Sequence, residues 1–417
     1  MHACYHPCFG MKERGTWLGW FGLGAAVMTV ALLGAYQVPA VRQRLEWRLD
    51  AAVGIVAGWL HPGETLPTPA HAAAIASMPP ASLAATPTSG PTPLPTATPP
   101  ALPPSAALPA PAWEKQGWNN CGPATLAMAL RYYGWQGDQD DIADLLKPDP
   151  GDKNVNVEEL VYYVRTRAGW LNAEYRVGAE LRTLKRFLAA GYPVVIEKSL
   201  ELPPNEGGGG WAAHYVLLTG YDDERQAFVT QDTFDGADLP VSYADLDERW
   251  HAFNHVYIVV FPAEQAENVA ALMADDSDPE VNRQRALERS QAEVAAAPDD
   301  AFAWFNLGTN LAHFERYGEA AQAYDTALGL GLPWRFTRYQ FGPYIAYFNQ
   351  GRFEDVIDLA TSTLYRTSKS EEARLWRGWA RYRLGELGGA LDDFQAALEI
   401  NPNYLDARYA LDYVLGG

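Results

Sequence analysis

The last third of the chain repeats itself. Trp304, Leu307, Gly308, Leu311, Ala320, Tyr324 and Ala327 mark one unit, and Pro298 closes the unit before it. Gly378, Leu384-Gly385, Ala390, Phe394, Ala397 and Pro402 mark another unit seventy residues on. That distance is twice a period of about 34 plus a two-residue insertion. Gly342, Gly351, Phe353 and Ala360 fit an irregular unit between them. A chain with this period folds as stacked helix pairs, because each pair buries its apolar side only against its neighbours. Small residues let the helices approach, while aromatics and leucines fill the gap. Residues 279–417 are therefore expected to form an all-α solenoid, opened by a helix over 281–297 and closed by one over 403–415. With 417 residues in the chain, room remains upstream for at least one more domain.

Not all of that upstream length can fold. Residues 61–112 are dominated by Pro, Ala, Thr and Ser, too little apolar bulk for a core, and read as a polyproline-like linker. Residues 15–41 carry no charged side chain. A helix over 17–38 is long enough for the ~30 Å hydrocarbon core, and Trp17, Trp20 and Tyr36 lie near its ends as interfacial aromatics do. The expectation is an uncleaved N-terminal transmembrane helix, with a short tail over 1–16 and a juxtamembrane segment over 39–60. Basic residues stand on both sides, Lys12 and Arg14 before the span and Arg42, Arg44 and Arg48 after it. The Pro/Thr-rich stalk decides the orientation. It implies a single-pass protein of the cell membrane whose downstream domains are extracytoplasmic.

Residues 113–262 read as one domain. Helices are expected over 121–133, 139–146, 157–167 and 179–190. Strands are expected over 172–177, 193–197, 214–221, 227–231 and 255–261. Helices first and strands second define an α+β domain with two segregated halves. Of three cysteines in the chain, Cys4 and Cys8 precede the apolar segment, so Cys121 has no disulfide partner downstream. It opens the first helix, followed by Gly122-Pro123, and proline suits a first turn because its missing N–H has no partner there anyway. The helix dipole and free N–H groups at that end lower a thiol's pKa. A thiolate nucleophile also needs a base, and His214, at the head of an apolar strand, is the candidate. A carboxylate must then hold the imidazole in one tautomer. Asp232 ends a strand and is the candidate, although Asp235 lies close enough to compete. The Gln116 amide and the Cys121 N–H are candidate oxyanion donors. Trp118 and Trp211 flank the two reactive segments and suit either a substrate groove or core packing. No metal or cofactor is expected, on the reading that no second cysteine or closely spaced histidine pair sits in this domain. A net charge of −19 argues against a nucleic-acid partner.

Gln116, Asn120-Cys121-Gly122-Pro123-Ala124, Met128, Gly134, Ala213-His214-Tyr215-Val216-Leu217, Gly220-Tyr221-Asp222 and Gln231-Asp232 together resemble the papain-like double-glycine peptidases, which mature bacteriocin leaders. The resemblance implies a papain-like fold over 113–262, with Cys121 as nucleophile, His214 as base and acid, Asp232 as orienting group and Gln116 at the oxyanion. The C-terminal units resemble tetratricopeptide repeats, a class that binds peptides or partner proteins. The combined expectation is a membrane-anchored cysteine peptidase whose repeats recruit a protein substrate or partner. Two alternatives stay open: a catalytically silent peptide-binding scaffold, and an acyl transferase built on the same triad.

Overall fold

The computed structural model describes residues 27–30, 34, 49, 52, 56, 65–69, 101–203 and 209–416. The chain divides into two units, residues 1–53 and 54–417. The sheet and the helical array both belong to the second. Among the described residues no helix is long and apolar enough to cross a membrane. The tail expected over 1–16 and most of the span expected over 17–38 lie outside those residues, as do most of the juxtamembrane segment and the linker.

The first globular part has helices α1 (Cys121–Arg131), α2 (Gln139–Leu146) and α3 (Val157–Arg167) on one side. Its antiparallel sheet comprises β1 (Ser105–Ala107), β2 (Leu171–Arg176), β3 (Val194–Leu202), β4 (Gly210–Asp222), β5 (Ala227–Asp232), β6 (Gly236–Ser242) and β7 (Tyr257–Pro262). The strand order is β2-β7-β3-β4-β5-β6. β3 pairs with β4 as far as Leu218, and β1 pairs with Gly220 to Asp222 beyond it. Helices α4 (Leu181–Ala189), α5 (Tyr243–His251) and α6 (Ala266–Met273) complete this part. Alternation along the central strands decides which core each side chain joins. Val195, Tyr215, Leu217 and Ile258 pack with α1 to α3. Val194, Ile196, Val216, Leu218 and Tyr257 pack with Phe187 and Trp250 on the other face.

The structure moves two expected boundaries. Ser105–Ala107, assigned above to the linker, is a strand hydrogen bonded into the sheet. Leu66, also assigned to the linker, is buried in the core of the helical array, and its N–H donates to the Leu332 carbonyl at 3.0 Å.

The array itself runs α7 (Pro279–Ala296), α8 (Ala301–His313), α9 (Tyr317–Leu330), α10 (Gly342–Asn349), α11 (Phe353–Arg366), α12 (Glu371–Arg383), α13 (Leu387–Ile400) and α14 (Leu405–Gly416). Gly378 shows why the repeat keeps a small residue there. A Cβ at that position would lie 2.5 Å from the Phe394 ring, so only glycine lets α12 and α13 meet. Gly308 stands against Tyr324 in the same way.

The array is fastened to the sheet domain through bonds from α7 and α8 and at two further places. One is apolar: Trp211 at the start of β4 stacks on Phe253 and Phe302 and packs against Phe336 and Tyr339. Trp211 therefore serves packing, the second of its two expected roles. The other fastening is polar. The Asn401 and Asn403 amides donate to the Leu146 and Leu145 carbonyls, both at 2.9 Å. Lys369 pairs with Asp149 at 2.9 Å, and Glu372 accepts from Asn156 at 3.2 Å.

Candidate active site

Cys121 begins α1 because the chain makes a sharp turn just before it. Asn119 takes a left-handed φ of 51°, and the Asn120 carbonyl accepts the first helical hydrogen bond, from Ala124 N–H at 3.0 Å. Gly122 has no Cβ, and one added there would already be 3.4 Å from the Tyr215 ring. The helix start is thus pressed against β4. The Thr125 hydroxyl ties the same two elements by donating to the Tyr215 carbonyl at 3.1 Å. That approach brings the thiol to His214, the residue before Tyr215.

The sheet register supplies the carboxylate. Asp232 lies directly opposite Val216, so it is the diagonal, same-face neighbour of His214. Its Oδ1 is 2.7 Å from His214 Nε2 and accepts from the backbone N–H groups of Phe234 at 2.9 Å and Asp235 at 3.1 Å. Asp235 sits in the turn and contributes that N–H. With Nε2 occupied, Nδ1 is the imidazole nitrogen left for the thiol. His214 and Asp232 are buried.

The electrostatics of the three groups agree in direction. Burial pushes the Cys121 thiol up, but the hydrogen bond and charge of His214, the Tyr215 N–H and the Lys147 ammonium outweigh it and leave the thiol lowered. Burial alone would lower His214, yet its bonds to Asp232 and Cys121 hold it up at about 9. Burial works upward on Asp232, while His214, Lys198 and the Phe234 N–H bring it down to about 2. These directions favour a thiolate–imidazolium pair beside an ionised carboxylate.

Gln116 joins the same group through Thr233. Its backbone N–H donates to the Thr233 carbonyl at 3.0 Å, and the buried Thr233 hydroxyl donates to Gln116 Oε1 at 2.8 Å. The amide oxygen is thereby fixed, which leaves the Nε2 end for another acceptor.

One positioning residue escaped the sequence reading. Gln139, the first residue of α2, accepts from the Gly117 N–H at 2.6 Å and the Asn120 amide at 2.8 Å. It donates to Glu114 at 2.8 Å and to the Lys115 carbonyl at 2.9 Å. A single buried amide thus braces the whole loop that carries Gln116. In sequence it is only a good helix former at a helix start.

The ground for expecting no metal, that the domain has no closely spaced histidine pair, needs correction. His251 and His255 stand four apart, and with Glu293 of the array they bring ligand atoms within 4.8 Å of one another. Arg289 occupies that cluster in this structure, 3.3 Å from His255 Nε2 and 2.8 Å from Glu293. His251 Nε2 is 3.0 Å from Asp300. The group is an ion-pair network joining α5 to α7 and α8.

A helical half bearing a cysteine at a helix start, facing an antiparallel sheet that bears histidine and aspartate, is the arrangement of an α+β peptidase-like domain. Residues 107–258 match the Peptidase_C39 like family, and residues 282–331 and 371–404 match tetratricopeptide repeats. The chain therefore carries a Peptidase_C39-like domain followed by C-terminal tetratricopeptide repeats. No curated protein matches it. Among solved structures, it resembles a C39-like peptidase from Bacillus anthracis at 20% identity and a TM-score of 0.31, over 38% of this chain and 97% of that one. Xylellain, a cysteine protease from Xylella fastidiosa, is 16% identical with a TM-score of 0.28, over 39% of this chain and 87% of that one. The repeats resemble YrrB, a repeat protein with an unusual peptide-binding site, at 20% identity and a TM-score of 0.29, over 36% of this chain and 75% of that one.

Proposed function

We propose that this chain is a cysteine peptidase that hydrolyses peptide bonds through a thioester acyl-enzyme. Cys121 attacks the carbonyl carbon. His214 holds the thiol proton and later gives it to the leaving amine, and Asp232 keeps the imidazole oriented and its cation stabilised. The Gln116 amide and the Cys121 backbone N–H stabilise the charge that develops on oxygen. Water then attacks the thioester with His214 as base. The observation that carries this reading is the buried, hydrogen-bonded line from Asp232 through His214 to Cys121.

The test is alkylation of the purified protein with iodoacetamide, with the modified cysteine located by mass spectrometry. Cys121 is expected to react faster than Cys4 and Cys8, and the His214→Ala variant is expected to remove most of that advantage. Cys121 reacting no faster than the other two would favour the silent, peptide-binding reading instead. An acyl transferase would label equally well. It would be recognised by a product joined to an added amine in place of a hydrolysed one.

The repeats, in this reading, recruit the protein substrate or a partner, and the apolar segment over 17–38 anchors the chain with its catalytic part outside the membrane. The support for the anchor is the uncharged run over 15–41 and the Pro/Thr-rich stalk after it. Protease added to right-side-out vesicles is then expected to remove the domains. Complete protection until lysis would place them on the cytoplasmic side, as Arg42, Arg44 and Arg48 would dictate.

A further inference from the structure

The chemistry proposed above leaves one acid beside the nucleophile unused. Glu197 is on β3, opposite Tyr215 of β4. It lines a pocket together with Cys121, Asn119, Gly122, Asn154, Tyr215 and Tyr339. The residue is only 3% exposed, and among the described residues no cation pairs with its carboxyl. Its hydrogen-bonding neighbour is the Tyr215 hydroxyl, whose own proton goes to the Val155 carbonyl at 3.0 Å. Burial first, and the charge of Cys121 second, hold the Glu197 carboxyl well above its usual range.

A second group in the pocket also waits for a partner. The Asn119 amide nitrogen is buried and has no hydrogen-bond acceptor. A buried polar atom without a partner is rare, because it forfeits its hydration for nothing in return. Here it is a donor beside Cys121, so it calls for an acceptor on whatever enters. Glu197 calls for the opposite, a group rich in protons and positive charge.

One chemical unit satisfies both: an ammonium next to a carbonyl, as at the amino terminus of a peptide. We infer that this pocket receives the α-ammonium of the substrate's first residue, with Glu197 as its counter-charge and Asn119 donating to a neighbouring carbonyl oxygen. The free space in the pocket is about 10 Å³, far below a typical ligand site, and suits a group the size of a water molecule or an ammonium better than a side chain. Tyr339, from the segment between α9 and α10, forms one of its walls, so the repeat array helps to close it. Lys153 is the other charged residue that lines the pocket. It is half-buried and already has a polar partner, so it does not set the charge preference.

This inference rests on Cys121 being the nucleophile, and the experiment separates the two. Full-length protein is treated with iodoacetamide, with glycyl-glycyl vinyl sulfone bearing a free amine, with its N-acetyl counterpart, and with an N-acetyl-lysyl vinyl sulfone. Modification of Cys121 is followed for each. Slow, unselective iodoacetamide labelling would sink the peptidase reading itself. If Cys121 is selectively labelled, the free-amine probe is expected to react at least tenfold faster than the acetylated one. In Glu197→Gln that advantage should shrink below threefold while iodoacetamide labelling persists, and in Lys153→Ala it should remain. Equal rates for the two glycyl probes on the unmodified protein, an advantage that survives Glu197→Gln, or faster reaction of the acetyl-lysyl probe would each overturn the inference. Because the comparison between probes is first made on the unmodified protein, a folding defect in the variant cannot mask the outcome.

Discussion

Asp232→Asn is expected to slow acylation of Cys121 by roughly ten- to a thousandfold, and Asp235→Asn by less than about threefold. The first substitution removes the charge that faces both His214 and, at 3.9 Å, the buried Lys198 ammonium. Asp232 Oδ1 accepts from Phe234 and Asp235 N–H as well as facing His214 Nε2, and an asparagine oxygen can keep all three. The imidazole tautomer is therefore retained, and what is lost is stabilisation of the imidazolium, whose pKa should fall from about 9. A neutral substitute in a serine-type triad can cost about 10⁴ in turnover, there because it holds the wrong tautomer. The loss here should be smaller, because a thiolate is formed with help from the helix start. Asp235 contributes its backbone N–H, which asparagine preserves. Single-turnover labelling of Cys121 at matched pH decides the question. Equal rates, or a slower Asp235 variant, would mean that the orienting carboxylate has been misassigned.

Trp211→Ala should destabilise the protein by about 3 kcal/mol, near the lower end for removing a packed tryptophan. The ring stacks between groups from both parts of the molecule, Phe253 from the sheet domain and Phe302, Phe336 and Tyr339 from the array. Its loss opens a cavity at their junction and frees Tyr339, which also lines the pocket beside Cys121. Urea unfolding should therefore show a lower midpoint, and limited proteolysis should begin to release the array. A change below about 1 kcal/mol would show instead that the polar contacts, those around Asn401, Asn403 and Lys369 with those of α7 and α8, carry the junction.

The same contrast explains what could be read without coordinates. Cys121, His214 and Asp232 were legible because their chemistry leaves local marks: a Gly-Pro helix start, a histidine heading an apolar strand, and a carboxylate ending one. The helices over 139–146 and 157–167 were legible because their apolar spacing is regular. β1 was not. Ser105-Ala106-Ala107 has the composition of the prolines and alanines around it, and only pairing with Gly220 to Asp222 makes it a strand. The role of Gln139 was hidden for a similar reason, since four of its hydrogen bonds go to residues 19 to 25 positions earlier in the chain. The association of His251 and His255 with Glu293 crosses from one domain to the next, where spacing says nothing.

Leu66 bears on the proposed anchor. Its N–H bonds to the Leu332 carbonyl, Thr65 bridges to Pro333, and its side chain is only 4% exposed within the array. The body is therefore moored at residue 65, some forty positions before the sheet begins at Ser105. If the segment over 17–38 is held in a membrane, the 26 residues 39–64 limit the distance between it and the body to about 90 Å. Counted to the first strand it would have been well over 200 Å. The Pro/Thr-rich residues between 70 and 100 add nothing to that reach, because the chain on either side of them is fastened to the same body. That limit then depends on the shorter segment, and length gained or lost in the proline-rich one leaves it unchanged.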